Sequence, residues 1–157
     1  MTELLQRLSK ELKTLDEIPQ GEGLILSLGP DYHDPNCDPL VWFCQINGPP
    51  GSPYEGGVFT LKITITDDYP NKPPLIEFVT PIFHPNVQNG KICLDLLESE
   101  SSQWKNSMHI QTAVFAILQM MLEANPEGGF EEVSKLIVRD RPKWFSIAEE
   151  MTRKHAK

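Results

Sequence analysis

"GVFTLKITI", residues 57–65, decides the class of the fold. Phe59, Leu61, Ile63 and Ile65 alternate with Thr60, Lys62, Thr64 and Thr66, the period of a strand with one face buried and one face wet. Working outward, "LILSL" (24–28), "LVWFCQI" (40–46) and "LIEFV" (75–79) are further β-rich runs divided by turns. "INGPPGSPYEGG" reads as a hairpin-type connection. "DDYPNKPP" cannot be a strand interior, because Pro70, Pro73 and Pro74 have no amide hydrogen to give a ladder. The pattern predicts a four-stranded antiparallel meander.

Helical periods flank that block. Leu4, Leu5, Leu8, Leu12 and Leu15 recur at spacings of three and four, the stripe of an amphipathic helix, with Arg7, Lys10 and Lys13 on its other faces. Pro19, Gly21 and Gly23 stop it. "IQTAVFAILQMMLEA" is apolar nearly all round and predicts a buried central helix broken by "ANPEGGF". "FEEVSKLIVRD" and "RPKWFSIAEEMTRKHAK" predict two more helices, the second with Pro142 suited to a first turn. Between residues 80 and about 108 periodicity disappears. A long loop rich in Ile82, Phe83, Ile92, Leu94, Leu96, Leu97 and Trp104 predicts an ordered, functional segment. The expected architecture is one α+β domain over residues 1–157: helix, four strands, active-site loop, three helices.

Composition excludes several functions. With 157 residues, 39% hydrophobic and 23% charged, the chain fits one soluble core. It has no apolar run of about 18 residues. No signal-peptide pattern opens it, so an intracellular protein is expected. A formal net charge of −8 argues against nucleic acid, whose phosphates need clustered Lys and Arg. Three cysteines without a CxxC pair predict reduced thiols rather than a disulfide framework.

The cysteines are not equivalent. Cys44 alternates with Trp42 and Ile46 within a strand and reads as core. Cys37 lies in "GPDYHDPNCDP", where Tyr32, His33, Asp34 and Asp38 make a metal site conceivable; short spacing and two prolines favour a solvated connection. Cys93 sits in the irregular "HPNVQNGKICLDL" (84–96) and is the candidate nucleophile. A hydrolase would need a base, and His84, nine residues upstream, could equally be a buried histidine satisfied by backbone.

Four segments carry a resemblance over almost the whole chain: "GPPGSPYEGGVFTLKITITDDYPNKPP", "IFHPNVQNGKICLDLL", "QW" at 103–104, and "DRPKWFSIAEEMTRKHA". Together they resemble the ubiquitin-conjugating enzymes. The resemblance implies the ubiquitin-conjugating (UBC-like) fold and a carrier that holds ubiquitin as a thioester on Cys93. It implies no bound cofactor, since ATP is consumed by the activating enzyme. Implied partners are ubiquitin, the activating enzyme, a ubiquitin ligase and protein substrates, without nucleic acid or membrane. A monomer in cytoplasm, nucleus or both is expected. Thiol exchange needs an attackable sulfur more than a dedicated base.

Site roles follow from the same likeness. Asn86 matches the asparagine assigned to stabilise the oxyanion or hold the loop that does, and His84 becomes structural. Asp95 matches a position that orients the incoming lysine, although a solvated carboxylate is the alternative. Arg7 and Lys10 match first-helix positions that dock the activating enzyme; otherwise they are a solvated face. Asn71 and Lys105, Asn106 and Ser107 occupy the ligase-binding segments and make them more polar than in many relatives. "LESESSQ" is about three residues longer than in compact relatives and adds Glu98 and Glu100 near Cys93, charge that disfavours a thiolate and attracts a lysine. Gly128 stands where many relatives carry an acidic gate, which leaves Glu127 as the gate candidate. Two other functions remain open: a carrier for another ubiquitin-like modifier, and a non-catalytic ubiquitin-presenting partner of the same fold. A Cys/His hydrolase ranks below both.

Overall fold

The computed structural model describes residues 2–17, 24–31, 33–98 and 103–157. Pro19, Gly21, Gly23, Tyr32, Glu100 and the side chain of Leu15 lie outside the described parts.

Alternation along the chain becomes one antiparallel sheet. Its long strands are β1 (Ile25–Pro30), β2 (Val41–Asn47), β3 (Val58–Thr64) and β4 (Leu75–Phe78). Register places the apolar positions face to face: Trp42 opposite Ile63, Cys44 opposite Leu61, Ile46 opposite Phe59, and Leu61 opposite Phe78. These cross-strand pairs are the unit of sheet stabilisation. Every one of these residues is buried, while Thr60, Lys62 and Thr64 stay partly wet. Cys44 is core, and burial pushes its thiol up to about 12, out of reach of ordinary thiolate chemistry.

The structure adds two strands to the expected four. β5 (Val87–Gln88) and β6 (Lys91–Ile92) form a hairpin inside the segment expected to be irregular, and the sheet order is β1-β2-β3-β4-β6-β5. The connection is Asn89-Gly90, both at positive φ (51° and 84°), which suits a two-residue turn matching strand twist. Gly90 also passes the Phe78 carbonyl so closely that a Cβ would lie 2.7 Å from its oxygen. Lys91 pairs with Glu77, so the hairpin hangs from β4.

Four helices pack on one apolar cluster with the inner face of the sheet: α1 (Thr2–Glu17), α2 (Ile110–Leu122), α3 (Glu131–Arg139) and α4 (Arg141–His155). Leu4 and Leu8 of α1 are buried, Leu12 partly so, and Leu5 turns outward. In α2, Ile110, Ala113, Val114, Ile117, Leu118, Met120 and Met121 are buried, whereas Phe115 and Leu122 project into solvent. The helix is therefore central but buried on one face, not all round. Pro142 opens α4, and Asp140 caps it by accepting from Lys143 N.

One buried acid joins α1, α2 and the turn that carries Tyr69. Glu11 of α1 is 4% exposed; it accepts from Tyr69 Oη (2.5 Å), Arg7 Nε (3.1 Å) and Ile110 N (2.8 Å). The last donor is an orphan amide at the start of α2, where the helix dipole also favours a negative charge. Three donors satisfy a group whose burial would otherwise be costly.

Candidate active site

The hairpin sets up Cys93. Its amide donates to Asn86 O at 2.7 Å immediately after β6 ends, so the residue leaves the sheet edge in a fixed place. A short 3₁₀ turn, Asp95–Leu97, follows. Cys93 is half-buried, and its S–H donates to the Gly128 carbonyl at 2.9 Å.

Behind it stands His84, fully buried. Asn86 N donates to its Nδ1 at 2.9 Å, which puts the ring proton on Nε2, 2.8 Å from Met120 O. Burial holds the imidazole pKa down to about 4, opposed only by the Met120 hydrogen bond. Tyr54 backs the ring at 5.8 Å between centroids and donates to Phe83 O at 2.7 Å. With both nitrogens engaged, His84 is a strut, and no base for Cys93.

Asn86 is also buried. Its Nδ2 donates to Asn125 O (3.1 Å) and its Oδ1 accepts from Asn125 N (3.2 Å), a reciprocal clasp of one side chain on one residue's backbone. Asn125 in turn caps the 3₁₀ turn Pro126–Gly128 by accepting from Glu127 N. The chain then crosses the loop so tightly that Phe130 N reaches Pro85 O at 2.6 Å. A Cβ on Gly129 would lie 2.5 Å from that carbonyl and 2.8 Å from Ser134 Oγ, so only glycine fits there. Gly128 is under no such constraint; its Cβ would meet nothing closer than Asn125 Nδ2 at 3.4 Å.

A cavity of about 370 Å³ opens at Cys93 and brings together Asn86, Asp95, Gln103, Gln119, Glu123, Asn125 and Gly128. Of the sequence candidates, Cys93, Asn86 and Asp95 meet here, and His84 supports them from behind. Glu127 does not. It lies in a separate groove with Glu131, Lys135 and Arg139, and the part of that turn at Cys93 is Gly128. Asn125 and Glu123 were not singled out from sequence. An Asn before a proline is a cap and turn signal that points to the first. Among the described residues no His/Cys/Asp/Glu cluster could hold a metal, Cys37 included.

The comparisons decide the family. The sequence model described as "Ubiquitin-conjugating enzyme" matches residues 7–152. The chain belongs to the ubiquitin-conjugating enzyme family. Its structure is similar to a Toxoplasma gondii ubiquitin conjugating enzyme domain, with 36% identity over 97% of this chain and 98% of that one and a TM-score of 0.80. It is likewise similar to a protein from Plasmodium yoelii described as a ubiquitin conjugating enzyme, with 36% identity, 98% and 95% coverage and a TM-score of 0.82. The ubiquitin-conjugating fold expected from sequence is thus shown, and the family implies ubiquitin, activating enzyme and ligase as partners in general.

In this ubiquitin-conjugating fold the segments expected to meet other enzymes lie side by side. Trp104 Nε1 donates to Pro70 O at 2.7 Å, and its ring contacts Tyr69, which joins the turn carrying Asn71 to that carrying Lys105, Asn106 and Ser107. All four residues are exposed, as is Lys10. Arg7 is not a solvated face: it donates to Glu11, Asn106 O and Met108 O and lies over the Tyr69 ring. Its guanidinium fastens α1 to the 105–108 turn.

Electrostatics separate the two buried-to-exposed groups of the site. Partial burial raises the Cys93 thiol above its ordinary value; Glu98 and then Asp95 raise it further, and Lys91 opposes them. Iodoacetamide labelling of Cys93, resolved by peptide mass spectrometry across pH, should give a midpoint above that of a free thiol. Glu98→Gln should move the midpoint down and Lys91→Gln up; an unmoved midpoint in both rules out this charge balance.

His84 makes stability pH-dependent. Its folded pKa of about 4 is below the unfolded value of 6.5. Between those values the unfolded chain binds the proton and the folded chain does not. The contribution is therefore intact above 6.5 and is lost as pH falls towards 4, up to roughly 3 kcal/mol at about 1.4 kcal/mol per pKa unit. Urea unfolding at stepped pH should show that slope, and His84→Gln should remove it. An identical slope in the variant would mean that other groups carry it.

Proposed function

We propose that this chain carries ubiquitin as a thioester on Cys93 and delivers it to amines of protein substrates with a ubiquitin ligase. The observation that carries the reading is a half-exposed thiol at the mouth of a cavity, held by main-chain bonds, beside a histidine with both nitrogens occupied. That arrangement suits thiol exchange better than hydrolysis. In loading, the Cys93 thiolate attacks the thioester carbon presented by the activating enzyme; a new C–S bond forms and the enzyme's thiolate leaves. The raised thiol pKa lowers the thiolate fraction but leaves each thiolate more nucleophilic. In transfer, an amine attacks the same carbon, the C–N bond forms and the C–S bond breaks. The amine proton ends on the sulfur, restoring the S–H.

Asn86 has a place in that second step. One Nδ2 hydrogen is used in the Asn125 clasp, and the amide has another to offer a developing oxyanion in the shared cavity. The exposed surface around Asn71 and Lys105, Asn106 and Ser107 is the proposed ligase contact, and α1 with Lys10 the activating-enzyme contact. A free nucleophilic thiol suits the reducing cytoplasm or nucleus.

Incubation with activating enzyme, ATP and ubiquitin, followed by a non-reducing gel, tests the carrier reading. A thiol-sensitive adduct should form and vanish in Cys93→Ala. No adduct with ubiquitin but one with another ubiquitin-like modifier would reassign the cargo, and an adduct persisting in Cys93→Ala would reassign the nucleophile. In Asn86→Ala, loading should survive while lysine transfer slows roughly 100-fold. Equal slowing of both steps would reduce Asn86 to the loop clasp.

A further inference from the structure

The turn that holds Cys93 has a second side. Gly128 O meets the thiol at 2.9 Å, while its chain neighbours Pro126, Glu127 and Gly129 line a separate groove against α3. That groove, about 600 Å³, is larger than the cavity at Cys93, about 370 Å³. Its α3 wall is one stripe, Glu131, Ser134, Lys135 and Val138, at the three- and four-residue spacing of a helix face. Val138 is 77% exposed, more than any other large hydrophobic residue among those described. Ser134 is 8% exposed, and its Oγ has no hydrogen-bond partner among the described residues. The groove thus offers an apolar surface and an open polar atom, neither of which the fold uses.

Charge is ordered along its length. Glu131 and Lys135 pair with each other at 2.7 Å. That leaves Glu127 at the Cys93 end and Arg139, the last residue of α3, at the other; neither makes an ion pair among the described residues. From Glu131 to Arg139 the helix advances about 12 Å, the length of roughly four extended residues. The groove's register against the thiol is fixed as well. Asn86 clasps Asn125, and Phe130 N holds Pro85 O at 2.6 Å. Both ends of the turn are therefore bonded to the loop that bears Cys93.

We propose that this groove docks a segment of the acceptor protein, with an apolar side chain on Val138, an acidic one at Arg139 and a basic one at Glu127. The proposal rests on Cys93 being the thioester carrier. Gly128 and Glu127, adjacent in the chain, open on the cavity and the groove respectively, so a segment lying in the groove brings its own lysine beside the thioester. The contacts proposed for the activating enzyme and the ligase lie elsewhere, on α1 and on the turns at Asn71 and Lys105. With a net charge of −8 the chain has no general attraction for an acidic segment, and Arg139 supplies it locally. Docking of this kind is equally strong before and during transfer, so it lowers KM and leaves kcat alone.

Discharge of the purified Cys93 thioester of the full chain separates docking from chemistry. The acceptors are free lysine and a blocked peptide with one lysine and then arginine, leucine and aspartate across glycine spacers, made in both chain directions. Val138→Asp should raise the KM for the better peptide about tenfold with kcat held. Arg139→Glu should raise it about three- to fivefold, and a peptide with arginine in place of the aspartate should recover that loss. Discharge to free lysine should be unchanged in both variants, whose positions are exposed. A peptide KM that ignores both substitutions, or a loss shared by free lysine, overturns the proposal while the carrier reading stands. A wild-type dimer in sedimentation that Val138→Asp dissolves also overturns it, because the groove then seats a second copy. A wild-type chain that never loads overturns both.

Discussion

A neutral imidazole fixed in one tautomer holds this site together. His84 receives the Asn86 amide on Nδ1 and gives its only proton to Met120 in the last turns of α2. From there the bonds run in series: Asn86 O to Cys93 N, Asn86 side chain to both backbone groups of Asn125, and Gly128 O to the Cys93 thiol. A low local dielectric strengthens each bond and penalises any that is left open. The nucleophile is consequently positioned by the end of a core helix rather than by the loop's own stiffness.

The opposite end of α2 repeats the logic with a charge. Glu11 is buried under Tyr69, Arg7 and the amide of Ile110, so α1, the 66–72 turn and the start of α2 meet on one carboxylate. Arg7 carries the connection on to the 105–108 turn. α2 is therefore pinned by buried polar groups at both ends, and its apolar face fills the space between. The two ends serve different purposes. One orders the proposed docking surface and the other orders the thiol.

Much of the fold could be read in advance, because strand alternation and helical stripes repeat over four or more residues. What escaped was built from fewer. The β5–β6 hairpin has two residues per strand, too short for any period, although Asn89-Gly90 was a hairpin signal in plain sight. Glu11 and Arg7 stand four apart and look like an ordinary surface pair; only the fold shows that Tyr69 and Ile110 complete the site. Cys93, Asn86 and Asp95 lie in one stretch of sequence and meet at one cavity, and His84 stands behind them with both ring nitrogens hydrogen-bonded. Nearness to Gly128 along the chain points to Glu127, and nothing in the sequence singles out Glu123. A 3₁₀ turn sends neighbouring residues in different directions, and the acids that line the cavity are Asp95 and Glu123, the residue that ends α2.

The acids beside Cys93 bear on more than acceptor choice. A sulfur whose thiolate is disfavoured is a poorer leaving group, since departure generates the anion that burial, Glu98 and Asp95 oppose. On the proposed chemistry, the same field that lowers the loaded carrier's intrinsic lability also repels hydroxide, the competitor that would waste the thioester. Amines escape both penalties: they arrive as cations, and they carry a proton that can quench the departing sulfur. Selectivity for aminolysis over hydrolysis then needs no base dedicated to Cys93. It follows from placing carboxylates around the thiol.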